Sequence, residues 1–184
     1  MKYKNRSIQI SCDGGAATGK STGAMMISKK FNLNFLSSGL LYRYASYLIL
    51  KYKPKKNLSF LKKKFNNFDF KKLKKMRLHT QEISEHSAII AKKARIRTIL
   101  KKFQIEFSKK NKNCCIEGRD ISTKILPNSD LKFFFTCNLN IASLRRYKEL
   151  KKTNSRIKLK EVSDQLKLIK KENKIKDKHL VSVL

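Results

Sequence analysis

Nine consecutive residues, Gly14-Gly15-Ala16-Ala17-Thr18-Gly19-Lys20-Ser21-Thr22, carry the chemistry most plainly written in this chain. They fit the pattern G-x-x-x-x-G-K-[ST], whose parts each answer to part of a polyphosphate. Glycine has no Cβ, so backbone N–H groups in such a loop can close around phosphate oxygens. A helix starting directly behind it adds unpaired N–H groups and the positive end of its dipole. Lys20 would reach the β- and γ-phosphates, and the Ser21 hydroxyl would ligate Mg2+. The flanks suit the pattern: Ser7 to Cys12 alternates as a strand, and Gly23 to Phe31 reads as a helix. These residues imply a binder of nucleotide phosphates.

Two further groups offer guanidinium forks, which match phosphate oxygens in a way lysine cannot. Ser38-Gly39-Leu40-Leu41-Tyr42-Arg43 places a hydroxyl at a helix start and an arginine about one turn later. Read alone, it is an N-cap with a surface arginine. Glu117-Gly118-Arg119-Asp120 follows an apolar run and sets an arginine beside a carboxylate, which alone reads equally well as a structural ion pair. With the phosphate loop, the two arginines make a second phosphate site plausible. Glycine placement agrees. Of only 6 glycines, four lie in or beside the loop, and Gly39 and Gly118 fall in the other two groups.

The elements that must position these groups alternate along the chain. A short strand at Phe35-Leu36 leads through a turn at Ser37-Ser38-Gly39 to a helix from Leu40 to about Lys51, ended by Pro54. Residues Lys55 to Arg77, rich in lysine, asparagine and phenylalanine, suit a small mobile insert better than core. Glu82 to Lys109 is helical with a break near Lys92-Lys93. Asn113 to Glu117 and Leu131 to Thr136 read as buried strands, and Ile141 to Lys151 and Lys160 to Lys176 as helices. Strands alternating with helices imply an α/β fold with a parallel sheet covered on both faces, in one domain over residues 1–184. Its loop and two arginine groups then fall at the carboxyl ends of strands, where such sheets bind ligands.

The formal net charge is +32, mostly from lysine. That is a general pull on polyanions, but the lysine tracts are scattered and no base-stacking module surrounds them, so the charge reads as solvated surface rather than a specific nucleic-acid site. Cys12, Cys114, Cys115 and Cys137 lack zinc spacing and read as buried thiols of a reducing compartment. No segment has signal-peptide or membrane-span character, which leads to a cytoplasmic expectation.

The chain resembles the bacterial cytidylate kinase, or (d)CMP kinase, family over residues from about 7 to 151. The resemblance is carried by Asp13 to Thr22, Ser38 to Arg43, Thr80-Gln81-Glu82-Ile83 with Arg95-Ile96-Arg97, and Glu117 to Thr123 running on to Pro127. It implies a P-loop nucleoside monophosphate kinase fold: a parallel sheet core flanked by helices, a monophosphate-binding insert over 53–80 and a lid over 152–180. It also implies transfer of the ATP γ-phosphoryl group to CMP or dCMP with Mg2+, by a cytoplasmic monomer. By resemblance, Lys20, Arg43 and Arg119 are catalytic. Arg43 and Arg119 grip the monophosphate, Arg97 and Asp120 hold the cytidine end, and Ser38 lines the same pocket. The sequence departs from the family at Gly15, where proline is usual, and at Ala88, where a base-contacting serine is usual. In the lid, Ile175 and His179 stand for arginine and Lys176 for aspartate. The lid departures lead to the expectation of an incomplete lid, and the stop at Leu184, before the family's final strand and helix, to that of a missing last strand, in a truncated or weakened enzyme. A kinase for another small acceptor, and a degenerate nucleotide- or polyanion-binding protein, are the alternative readings.

Overall fold

The structure, a computed structural model, describes residues 7–66, 68–152 and 155–176. His179, singled out above, lies outside the described residues, as does the end of the 152–180 span. Four strands form one sheet among the described residues: β1 (Gln9–Gly14), β2 (Asn34–Ser37), β3 (Cys114–Gly118) and β4 (Leu131–Phe135). Their order is β2-β3-β1-β4 and every pairing is parallel. Parallel neighbours need long crossovers, and helices supply them. They are α1 (Lys20–Lys30), α2 (Ser38–Tyr52), α3 (Asn57–Asn66), α4 (Gln81–Ala91), α5 (Ala94–Lys110), α6 (Leu139–Lys151) and α7 (Leu159–Lys176). Among the described residues, no helix is long and apolar enough to cross a membrane.

Side chains alternate across the sheet, as the strand period requires. Ile10, Cys12 and Cys115 meet Ala24 of α1 on one face, while Leu36, Cys114 and Ile116 join the large cluster on the other. That cluster takes Leu41, Ala45 and Leu48 from α2, Ile83 and Ile90 from α4, and Ile96, Leu100 and Phe107 from α5. α2 starts at Ser37, whose Oγ accepts from the Leu40 N–H at 3.3 Å. Ser37 is therefore the cap, and Ser38, expected at that place, is the first helical residue. α2 ends at Lys53, in a left-handed conformation (φ 41°), just before Pro54. Thr80 caps α4 in the same way as Ser37 caps α2, accepting from Ile83 at 3.3 Å. The break expected near Lys92-Lys93 separates α4 from α5.

Two expectations are corrected. The lysine-rich stretch from Lys55 is not held apart from the core. Leu61 and Phe65 of α3, with Leu73 and Leu78 beyond it, are buried in the large cluster. Aromatic pairs fasten it further: Tyr44 stacks on Phe68 at 4.3 Å, and Phe70 meets Phe107 edge-on at 4.6 Å. In α3, Lys62, Lys63 and Lys64 face water while Leu61 and Phe65, a helical turn apart, face inward. The second correction concerns β4, a strand as expected but an edge strand rather than a buried one. Leu131, Phe133 and Phe134 are 45%, 41% and 52% exposed. Among the described residues, β4 has a strand on one side only, and apart from Phe135 no helix covers its side chains.

Because all four strands run the same way, their carboxyl ends share one edge of the sheet. Ser37 is level with Glu117, and Asp13 with Gly118. α6 and α7 pack on each other through Ala142, Val162 and Leu166, and this small cluster touches Ala16 and Ala17 of the loop. One edge thus gathers the loop, both arginine groups and the α6–α7 pair.

Candidate active site

The loop between β1 and α1 departs from ordinary backbone geometry where the sequence allows it. Gly19 has φ 86° and occupies the N-cap of α1, a left-handed conformation that glycine adopts without penalty. It offers no side chain to cap the helix, so the first-turn N–H groups remain free for an anion. Ala17 also has positive φ, 58°, which costs a non-glycine residue and bends the loop. The Thr18 hydroxyl ties the loop across itself by donating to the Gly15 carbonyl at 3.1 Å. Above it lies Arg145 of α6, whose Nη1 would be 3.4 Å from a Cβ built on Gly19. Ser21 and Thr22 stand exposed on the first turn of α1.

Below the loop, Lys20 forms an ion pair with Glu117, which is 2% exposed at the end of β3. The other carboxylate oxygen of Glu117 accepts from the Ser37 hydroxyl. One acid thus links the phosphate loop to the start of α2. Asp13, 1% exposed at the end of β1, has a different task. It accepts from the Ile121 N–H at 2.7 Å, the Ser122 N–H at 2.8 Å and the Ser122 hydroxyl at 2.5 Å. Those three bonds hold the loop after β3, and with it Arg119 and Asp120.

On the α2 side, Arg43 Nη1 donates to the Leu78 carbonyl at 3.4 Å and meets His79 Nδ1 at 2.8 Å. Burial, and then Arg146 of α6, lower the proton affinity of this guanidinium, with Glu149 and Glu117 opposing. Arginine stays charged regardless. Asp120 pairs not with its neighbour Arg119 but with Arg97 of α5, at 2.8 Å and partly exposed. Tyr42 sits close enough to feel both members of that pair, and burial is the larger cause of its raised pKa. Arg119 is exposed and makes no hydrogen bond or ion pair among the described residues. Ser38 is buried beside Gly118, where a Cβ would come 3.1 Å from its own.

Three of the four thiols are buried within the strands, whereas Cys137, only partly buried, accepts from Arg145 Nη1 at 3.9 Å. Cys12 and Cys115 lie with sulfurs 3.7 Å apart on adjacent strands, and the hydrogen bond between them and burial push the Cys12 thiol up. Burial raises Cys114 to about 12. No group of three or more His, Cys, Asp or Glu stands at metal-ligating distance among the described residues. A hollow of about 280 Å³ lined by Asn57, Leu58, Lys93, Ala94, Arg95 and Ile96 includes none of the loop residues.

The match to known proteins agrees with this geometry. A model of the family described as cytidylate kinase matches residues 10–181. The chain belongs to the cytidylate kinase family. A cytidylate kinase of Rickettsia canadensis is 33% identical over 177 residues, covering 92% of this chain and 78% of its own length. One from Rickettsia africae is also 33% identical, covering 92% and 77%, and one from Bartonella tribocorum is 32% identical, covering 85% and 74%. Family membership accounts for the parallel sheet and the placement of the loop.

Five residues of the site went unassigned in the sequence: Asp13, Glu117, His79, Arg145 and Arg146. Glu117 carried a signal, an acid closing a buried strand opposite the loop lysine. His79, Arg145 and Arg146 carried none, because the site groups they stand beside, Arg43 and the phosphate loop, are far away in the chain.

Proposed function

We propose that this chain transfers the γ-phosphoryl group of ATP to CMP or dCMP, giving ADP and CDP or dCDP, as a monomer in the cytoplasm. The observation that carries this reading is the family match across residues 10–181. The loop residues Gly14 to Thr22 would wrap the ATP phosphates with backbone N–H groups, assisted by the free first turn of α1. A polyphosphate there offers Lys20 oxygens that compete with Glu117. Lys20 would follow the charge that builds on the β- and γ-phosphates as they separate.

Mg2+ fits the donors present, all of them hard oxygens. The exposed Ser21 hydroxyl would hold it together with phosphate oxygens. Bound there, the ion would offset phosphate charge. On the acceptor side, Arg43 and Arg119 would grip the monophosphate, Arg97 and Asp120 the cytidine end, and Ser38 would line the pocket between them. The attacking oxygen of a monophosphate is already largely ionised, so no general base is required. Rate then comes from alignment and charge neutralisation. Arg145, lying over the loop, adds a further cation at the donor side.

An ADP-release assay with Mg-ATP tests the reading. CMP or dCMP should support faster turnover than AMP, GMP or shikimate. Equal rates with all acceptors, or none, would remove the assignment.

A further inference from the structure

Arg43 is held by a group that can change its charge. A guanidinium has donors only, so at the 2.8 Å contact between Arg43 Nη1 and His79 Nδ1 the imidazole nitrogen must be the acceptor. His79 is therefore neutral in this arrangement, with its proton on Nε2. The ring's place is set from both sides. Leu78, just before it, is fully buried, and Thr80, just after it, caps α4. The charged groups that face the ring are Arg43 from α2 and Arg146 and Glu149 from α6. Arg146 and Glu149 pair with each other at 2.7 Å, which leaves Arg43 as the uncompensated charge beside the imidazole.

We propose that His79 is a positioning residue for the acceptor phosphate: neutral, it anchors the Arg43 fork, and when a dianionic phosphate arrives it takes a proton from solvent and releases the fork to the ligand. This rests on the reading of Arg43 as a phosphate ligand. The exchange is balanced bond for bond. Protonation at Nδ1 removes the closer of the two acceptors of Nη1, leaving the Leu78 carbonyl at 3.4 Å, and Nη1 turns to a phosphate oxygen. The new imidazolium then stands next to the anion as a second cation.

The sign of the pH dependence follows. Burial first, and then Arg43, hold His79 below the usual imidazole range, with Glu149 opposing and Arg146 adding to the effect. A phosphate dianion on Arg43 cancels the charge that disfavours the imidazolium, so the pKa rises on binding. A group whose pKa rises on binding contributes affinity that is complete below its free-state value. That contribution disappears as pH rises through its value in the complex.

The test measures KM for CMP and KM for ATP from about pH 5 to about pH 8, in the wild type, His79→Gln and Arg43→Ala. Glutamine keeps an acceptor for Arg43 and cannot titrate. The second ionisation of the CMP phosphate, near about pH 6, affects every variant alike and drops out of the ratio. The ratio of KM for CMP between His79→Gln and wild type should grow toward about tenfold as pH falls, the effect of one pKa unit. KM for ATP should not change. Calorimetry of CMP binding to the wild type, in buffers of different ionisation enthalpy, should show proton uptake near neutral pH. That measurement decides the matter even if His79→Gln fails to fold. A flat ratio, parallel changes in both KM values, or no proton uptake would overturn the proposal. If Arg43→Ala raises KM for CMP while the His79→Gln ratio stays flat, only the role of His79 falls. An Arg43→Ala variant with unchanged KM for CMP would remove the reading of Arg43, and the proposal with it.

Discussion

Lys20 and Arg43 are both cations at the site, yet replacing them should fail in different ways. Lys20 is bound to a carboxylate that is 2% exposed, so Lys20→Ala strands Glu117. We expect loss of turnover together with a loss of stability of about 3–5 kcal/mol, as for a broken buried pair. Urea unfolding should show that Lys20→Met with Glu117→Gln regains most of the stability, while an activity assay shows no turnover. Arg43→Lys keeps the charge and loses the fork. It should lower kcat/KM for CMP by about 10–100-fold, the equivalent of one charged hydrogen bond. Unchanged kcat/KM would mean that the fork is not used. His86 titrates for a structural reason: its Nδ1 is buried without a partner, and burial is the first cause of its lowered pKa. The folded state then favours the neutral ring. Its contribution is complete above the unfolded value near about pH 6.5 and is lost as pH falls through that value toward the folded one. A smaller acid-side fall in Tm for His86→Leu than for wild type is the expected result, read from melts between about pH 7.5 and about pH 5.5.

At the scale of elements, what could be read in the sequence was whatever a short stretch imposes by itself. The loop needs glycine at a left-handed position and has Gly19 there; the helix break at Lys92-Lys93 and the stop before Pro54 are equally local. What the sequence hid depends on neighbours. Leu131 to Phe135 looks the same whether a strand has one neighbour or two, and the lysines of α3 mask the turn-by-turn spacing of Leu61 and Phe65. His79 and Arg43 are 36 residues apart and meet only because α2 packs against α4. The contact between α1 and β4 offers a test of packing. A Cβ on Gly23 would stand 2.4 Å from Phe135 Cε1. Overpacking of that kind costs about 1–3 kcal/mol, while alanine gains about 1 kcal/mol over glycine in a helix. Gly23→Ala should therefore be neutral to destabilising in the wild type. In a Phe135→Leu background it should become stabilising, and denaturant midpoints would reveal the change of sign.

For the whole molecule, the +32 charge is carried largely by exposed lysines. RNA binding, if measured by filter retention, should be nonspecific and fade steeply as salt rises toward physiological strength. Calorimetry should find ATP binding much less affected, because loop amides hold phosphate at close quarters. Selective RNA binding that survives physiological salt would give the charge a function. The strand order has a different consequence, which concerns how the chain is made. β1 emerges first, yet both strands that flank it, β3 and β4, begin only at Cys114 and Leu131. At about 5–20 residues per second, β1 waits about 5–20 s on the ribosome without a partner on either side. The phosphate loop, which hangs from β1, has no scaffold until then. Protection of the loop from protease in stalled nascent chains should therefore switch on late, once β4 has left the ribosome, rather than grow with length. A loop already protected before Cys114 is made would show that the sheet assembles in another order.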